Sequence, residues 1–391
     1  MKPLRDEAMR RRPLLVVVAA ACGAAIGIAA IIAAATAPSP LSSPSFSPLS
    51  SPSVSPGPLS PDGGRGYQHG RVSEHGDMYP YAVYVPSSLK AGPAAPLVVV
   101  LHGCDMTADQ MAAASQYDAL AERDRFIVLY PDVDTLDAES YRRCWRGIWA
   151  PDLEGRGVGD ASAIADMTGA VIRRWHADPG RVYAIGISAG GFETSILAAY
   201  YPDLYAAIGI HSGAPYLGAE PGCLPASPNT ADTAKLAGDA LDAMGSRVRV
   251  MPVIVIHGDA DPAVPYRCGQ QALAQWLGVD NLVLKREHRP RMPGSPGGSR
   301  SAVVPGGSRS AVVPGGHGYT VLSYTGGSGC VVAQLWTVHG MGHYWSGGSA
   351  DRASARYSDP RGPSAAVASW AFFSRWRLSG PLGGCAVPAR R

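Results

Sequence analysis

The sequence predicts an α/β domain built on a mostly parallel sheet with helices on both faces. Short apolar runs such as Pro96–Leu101 lack polar alternation, as in strands buried on both sides. Segments with helical spacing separate these runs, and strand–helix alternation is the signature of a parallel sheet with covering helices. Hydrophobic residues make up 46% of the 391, enough for a sizeable core.

Tyr81–Val85 alternates like a strand, and the apolar run Pro96–Leu101 follows. Met111, Ala114, Tyr117 and Leu120 give Thr107–Glu122 one apolar helical face. Phe126–Tyr130 reads as a strand closed by Pro131, and Ala161–Trp175 as a helix. Arg181–Ile187 is a strand and Ala189–Tyr200 a helix, followed by strands at Tyr205–Ile210 and Met251–Ile256. Tyr266–Leu277 is helical, Tyr319–Tyr324 and Val331–Val338 are strands, and Pro363–Trp376 is the final helix. Pro296–Val304 is repeated as Pro305–Val313, which reads as a flexible duplicated loop over 294–316.

Outside this domain, assigned to 66–380, two N-terminal segments stand apart. Arg5, Arg10, Arg11 and Arg12 precede an uncharged stretch from Leu14 to Ala37, the pattern of an export signal over 1–37. Cleavage after Ala35 or Ala37 fits the small residues there. The stretch, roughly 36 Å long as a helix, also suits an uncleaved membrane anchor. Residues 38–65 are rich in Ser and Pro, as in an extended tether, and 381–391 form a tail. The expected location is therefore outside the cell or on the outer membrane face. A net charge of +3, with no basic run beyond the N-terminus, gives no support to a nucleic-acid partner. Cys104, Cys144, Cys223, Cys268, Cys330 and Cys385 make an even set, suited to disulfides in an exported domain. The absence of a C-x-x-C pair argues against a zinc site, and no metal or other cofactor is expected.

Gly186-Ile-Ser188-Ala-Gly190 lies between a predicted strand and a predicted helix. Small neighbours permit the sharp turn that presents a nucleophilic serine at the carboxyl edge of a sheet. A hydroxyl needs a base to take its proton, and the base needs a carboxylate to orient it. Asp261, in His257-Gly-Asp259-Ala-Asp261, follows one strand, and His343, in Gly340-Met-Gly-His343, follows the last. Ser188, Asp261 and His343 thus stand in serine–acid–histidine order, each at a strand end, with Asp259 as the competing acid. His339 continues the alternation of its strand and reads as structural. Leu101-His102-Gly103-Cys104 ends an earlier strand, so the Cys104 and Ala189 amides are candidates for an oxyanion hole. Trp145, Trp149 and Trp345 are candidates to line the substrate pocket, with core packing as the alternative.

From Tyr81 to Phe373 the chain resembles the polyhydroxybutyrate depolymerase-like esterases, near the feruloyl and acetylxylan esterases of carbohydrate esterase family 1. The resemblance rests on Leu-His-Gly-Cys104, Tyr130-Pro131, Arg143-Cys144-Trp145, Gly-Ile-Ser188-Ala-Gly-Gly and Ile-His-Ser212-Gly. His257-Gly-Asp-Ala-Asp261, Gly-Met-Gly-His343-Tyr-Trp-Ser-Gly-Gly and Ser358-Asp-Pro-Arg-Gly-Pro363 complete it. It implies an α/β-hydrolase fold, the triad above with Asp261 as the acid, and a Cys104–Cys144 bridge beside the site. Pairing Cys223 with Cys268 and Cys330 with Cys385 is the further assignment.

The implied activity is hydrolysis of carboxylic esters through an acyl-enzyme, on short-chain or hydroxyalkanoate esters. The alternative is a feruloyl or acetylxylan esterase; an inactive binding protein of the same fold is the reading from another class. The expected partner is an ester, free or at a polymer end. Two departures bear on substrate. Trp145-Arg-Gly-Ile-Trp149 replaces the family's frequent Trp-Asn-Trp. Only a short tail follows Trp376, whereas extracellular polymer depolymerases usually carry a separate binding module there, so efficient attack on crystalline polyester is not expected.

Overall fold

A computed structural model describes residues 66–379, apart from 75, 90–92, 134–142, 149, 224–227, 288–303 and 327–328, together with 55–56 and 384–385. The export-like segment and most of the Ser/Pro tether lie outside the described residues. No helix among the described residues is long and apolar enough to cross a membrane.

The described residues begin with β1 (Ser55–Pro56), β2 (Gly66–Glu74) and β3 (Asp77–Val85), then β4 (Leu97–Leu101). Helices α1 (Ala108–Ser115) and α2 (Tyr117–Asp124) lead to β5 (Ile127–Pro131), α3 (Gly159–Trp175), β6 (Val182–Ile187), α4 (Ala189–Tyr200) and β7 (Ala207–His211). Next come α5 (Thr233–Met244), β8 (Val253–Gly258), α6 (Tyr266–Glu287), β9 (Val304–Val312), β10 (Gly318–Thr325), β11 (Val331–Val338) and α7 (Ala365–Phe373). The strands form one eleven-stranded sheet in the order β1-β2-β3-β5-β4-β6-β7-β8-β11-β10-β9. From β5 to β11 neighbours run parallel, and the flanking strands at both edges pair antiparallel. This mostly parallel sheet flanked by helices is an α/β-hydrolase fold.

The core lies on both faces of the parallel part. Every residue of β4 has zero exposure, as the unbroken apolar run requires. Fully burying such a Val or Leu stabilises the fold by about 1.5–3 kcal/mol relative to leaving it in water. Because β6, β7, β8 and β11 are parallel neighbours, the loops that follow them emerge along one rim, where open α/β sheets place their ligands.

Several elements depart from the sequence reading, among them β1, which pairs with β2 inside the stretch read as a tether. The helix expected over Thr107–Glu122 is two helices, because Gln116 takes a left-handed φ of 65° between them. β2 and α5 were not expected. The helix had a legible signal: Leu236, Ala240, Leu241 and Met244 make one buried face, and the Asp232 side chain caps the Ala234 and Lys235 amides. The second copy of the duplicated segment is not a loop. Its residues form most of β9, paired along β10 at the sheet edge. Pro305, Gly306, Gly307 and Arg309 suit an exposed edge strand, which must not recruit a further strand.

Candidate active site

Ser188 ends the turn out of β6 and caps α4, with φ 56° and ψ −123°. L-residues rarely adopt this conformation, and it persists only where the surroundings over-determine it. Here the Ser188 amide donates to the His211 carbonyl at 3.0 Å, and its own carbonyl accepts from the Gly191 and Phe192 amides. The flanking glycines are a packing requirement. A Cβ on Gly186 would lie 2.2 Å from the Gly190 carbonyl oxygen, and one on Gly190 would lie 2.5 Å from that of Leu101. Both obstacles are backbone atoms and cannot swing aside. Gly190→Ala should therefore destabilise the protein by about 1–3 kcal/mol or more. Urea unfolding checks this; an unchanged midpoint would mean that the turn is looser than the coordinates show.

The loop after β4 lies against this turn: a Cβ on Gly103 would come within 3.2 Å of Ser188 Cβ. Among the described residues, neither the Cys104 nor the Ala189 amide donates to a protein acceptor. Both remain available to a ligand beside Ser188. The loop is braced from behind. Cys104 is bonded to Cys144. The Trp145 indole donates to the His102 carbonyl at 2.8 Å. His102 Nε2 stands 3.3 Å from Asp132 Oδ1, whose other oxygen accepts the Ala108 amide. The sequence reading missed Asp132, although it directly follows the quoted Tyr130-Pro131.

At the end of β8, the buried Asp261 carboxylate accepts the Ala263 and Val264 amides at 2.9 Å on Oδ1. Its Oδ2 accepts from His343 Nδ1 at 2.8 Å and stands 3.5 Å from His257 Nε2. Burial acts to raise the Asp261 pKa, but the bond and charge of His343, with His257 and the Val264 amide, hold it below the usual carboxylate range. The competing acid is engaged elsewhere. Asp259 meets His339 Nδ1 at 2.8 Å and accepts the Gly340 amide at 2.7 Å, holding the start of the histidine loop.

With Nδ1 turned to Asp261, His343 Nε2 meets no hydrogen-bond partner among the described residues, and the side chain is 23% exposed. No hydrogen bond joins Ser188 to His343 among the described residues; such bonds are often long before substrate binds. The two loops are instead stitched through His211. Its carbonyl holds the Ser188 amide, and its Nε2 accepts the Ser346 amide at 3.0 Å, three residues beyond His343. Burial pushes the His211 pKa down to about 3, which keeps the ring neutral and able to accept.

These loops carry Ser188, Asp261 and His343 to one rim of the sheet. A sequence model of the family described as Esterase PHB depolymerase matches residues 79–291, more than half of the chain. The chain belongs to this family. As a member of the Esterase PHB depolymerase family it is a serine-type carboxylic ester hydrolase. It is 34% identical over 237 residues to feruloyl esterase B of Thermothelomyces thermophilus, a match covering 55% of this chain and 76% of that one. It is 32% identical to acetylxylan esterase A of Talaromyces purpureogenus, covering 50% of this chain and 52% of that protein. The acetyl xylan esterase structure from Aspergillus awamori shares the fold, with a TM-score of 0.55 at 20% identity, over 78% of this chain and 99% of that one.

The structure corrects two pocket assignments in this esterase. Trp145 and Trp345 have no exposed surface. Trp145 packs 4.8 Å from the His102 ring, and Trp345 stacks 4.9 Å from His211. Both support the site from beneath, because a flat apolar indole gains more by covering these buried rings than by facing water. Trp149 lies outside the described residues. The remaining sulfur pairs are Cys223–Cys268, beside the start of α6, and Cys330–Cys385, which ties the start of β11 to the C-terminal segment.

Proposed function

We propose that the chain hydrolyses feruloyl or acetyl esters carried on plant polysaccharide, with Ser188, His343 and Asp261 as its catalytic residues. The observation that carries the substrate class is the 34% identity to a feruloyl esterase across three quarters of that protein's length. The acetylxylan esterases support it at lower coverage. A partly exposed His343 at an open sheet rim suits an ester attached to a chain too large to be engulfed.

Ser188 Oγ attacks the ester carbonyl while His343 Nε2 takes its proton, and Asp261 stabilises the imidazolium. The developing oxyanion rests on the Cys104 and Ala189 amides, each worth about 2.7–4 kcal/mol to the transition state. His343 protonates the departing alcohol, and water then releases the acid by the reverse sequence. Disulfides and the arginine-led segment at 1–37 support action outside the cytoplasm.

A second reading, hydroxyalkanoate esters, is favoured by the family's own description. Parallel assays on methyl ferulate, acetylated xylan and hydroxybutyrate oligomers separate the two. We expect kcat/KM for a ferulate or acetylxylan substrate to exceed that for the oligomers by at least about tenfold, or ~1.4 kcal/mol of discrimination. The reverse ranking would hand the assignment to the second reading.

A further inference from the structure

Three acidic side chains that take no part in the catalytic proposal meet inside the protein. Glu154 follows the short turn Pro151–Leu153, Asp160 begins α3, and Glu193 lies one turn into α4. Their exposures are 4%, 3% and 0%. One carboxylate oxygen from each lies within 4.8 Å of the others.

Two of the three are anchored. Glu154 accepts the Asp160 and Ala161 amides at 3.2 and 3.0 Å. Asp160 accepts the Tyr79 hydroxyl at 2.8 Å and the Arg146 amide at 2.6 Å. Glu193 differs. It is wholly buried beside them, and among the described residues neither of its oxygens has a well-aligned hydrogen-bond partner, the Gly147 amide being the donor that acts on it. The charges do not balance either. Arg146 is the basic group that acts on the cluster, and its guanidinium is shared with Asp77 at 3.7 Å. A buried carboxylate in this position must hold a proton or face a cation.

We propose that Glu154, Asp160 and Glu193 bind one divalent cation, with calcium preferred. The donors are all hard oxygens, with no thiolate or imidazole in the group, which points away from zinc and copper. Calcium binds oxygen at about 2.3–2.6 Å, so ligands on opposite sides of the ion stand roughly 4.6–5.2 Å apart. The 4.8 Å span of the cluster therefore accommodates it with little movement. Magnesium bonds at about 2.0–2.1 Å and retains several waters, for which so buried a site leaves little room. The chain also pinches here: Gly159, at φ +77°, returns so tightly that a Cβ would lie 2.5 Å from Glu154 Oε2 and 2.8 Å from the Leu153 carbonyl oxygen.

Such an ion joins three pieces of the scaffold. These are α3, the helix α4 whose cap is Ser188, and the segment that follows Cys144. Its role is to brace the turn that presents the serine, and it takes no part in ester chemistry. The site does not depend on which ester is cleaved.

The test uses the whole protein, stripped with EDTA and dialysed. Calorimetric titration with calcium chloride should give one ion per chain, and saturating calcium should raise Tm by about 3 °C or more. Magnesium should raise it less. Glu193→Gln should abolish both the heat and the shift, while melting no lower than the stripped parent. If that variant does not fold, Glu154→Gln replaces it, with elemental analysis of the parent purified from calcium-containing medium. Equal Tm in calcium and EDTA with no titration heat would overturn the site and leave the carboxylates holding protons. Undiminished binding in the folded variant would place the ion elsewhere.

Discussion

Ser188→Ala should fold like the parent and lose roughly a million-fold in kcat on p-nitrophenyl acetate, the scale seen when a serine nucleophile is removed from a comparable triad. The side chain is only partly buried at the helix cap, and its Oγ makes no hydrogen bond among the described residues. Stability should therefore barely change, since the strained turn is held by the Ser188 backbone amide and carbonyl. A fluorophosphonate probe should label the parent once per chain and leave the variant unlabelled. Residual activity within about a hundredfold of the parent would move the nucleophile elsewhere, because the amides alone supply only the oxyanion's share of catalysis. Absence of label on the parent would instead favour an inactive binding protein.

Asp261→Asn and Asp259→Asn, compared side by side, should give opposite results. Both acids sit in one five-residue stretch, and both contact a histidine at 2.8 Å. Only Asp261 reaches His343. Replacing its carboxylate by an amide removes the charge that stabilises the imidazolium and permits the wrong ring tautomer, a change that typically costs about 10,000-fold in kcat. Asp259 is tied to His339 and the Gly340 amide. Its replacement should alter kcat by no more than about tenfold, through loosening of the loop that carries His343. Steady-state kinetics on one activated ester suffices for the comparison. If Asp259→Asn were the more damaging change, the orienting acid would have been misassigned.

Much of this arrangement can be read along the chain. The buried parallel strands are legible because a strand covered on both faces must be apolar at every position, as Leu97–Leu101 is. The serine turn is legible because its glycines answer steric demands that only a missing Cβ can meet. Elements at the margins were harder to see. β2 alternates weakly, with partly exposed positions along most of its length. Six of the nine residues of β9 are Gly, Pro, Ser or Arg, which also suit a loop, and only its pairing with β10 makes it a strand.

By itself the sequence determined the α/β class and the strand ends that carry Ser188, Asp261 and His343, because periodicity and turn chemistry are local properties. The tertiary structure set Asp261 against His343 and Asp259 against His339, turned Trp145 and Trp345 into buried supports, and gathered Glu154, Asp160 and Glu193 from three separate segments. Those outcomes depend on which side chains converge across the fold, and distance in space leaves no periodic trace along a chain.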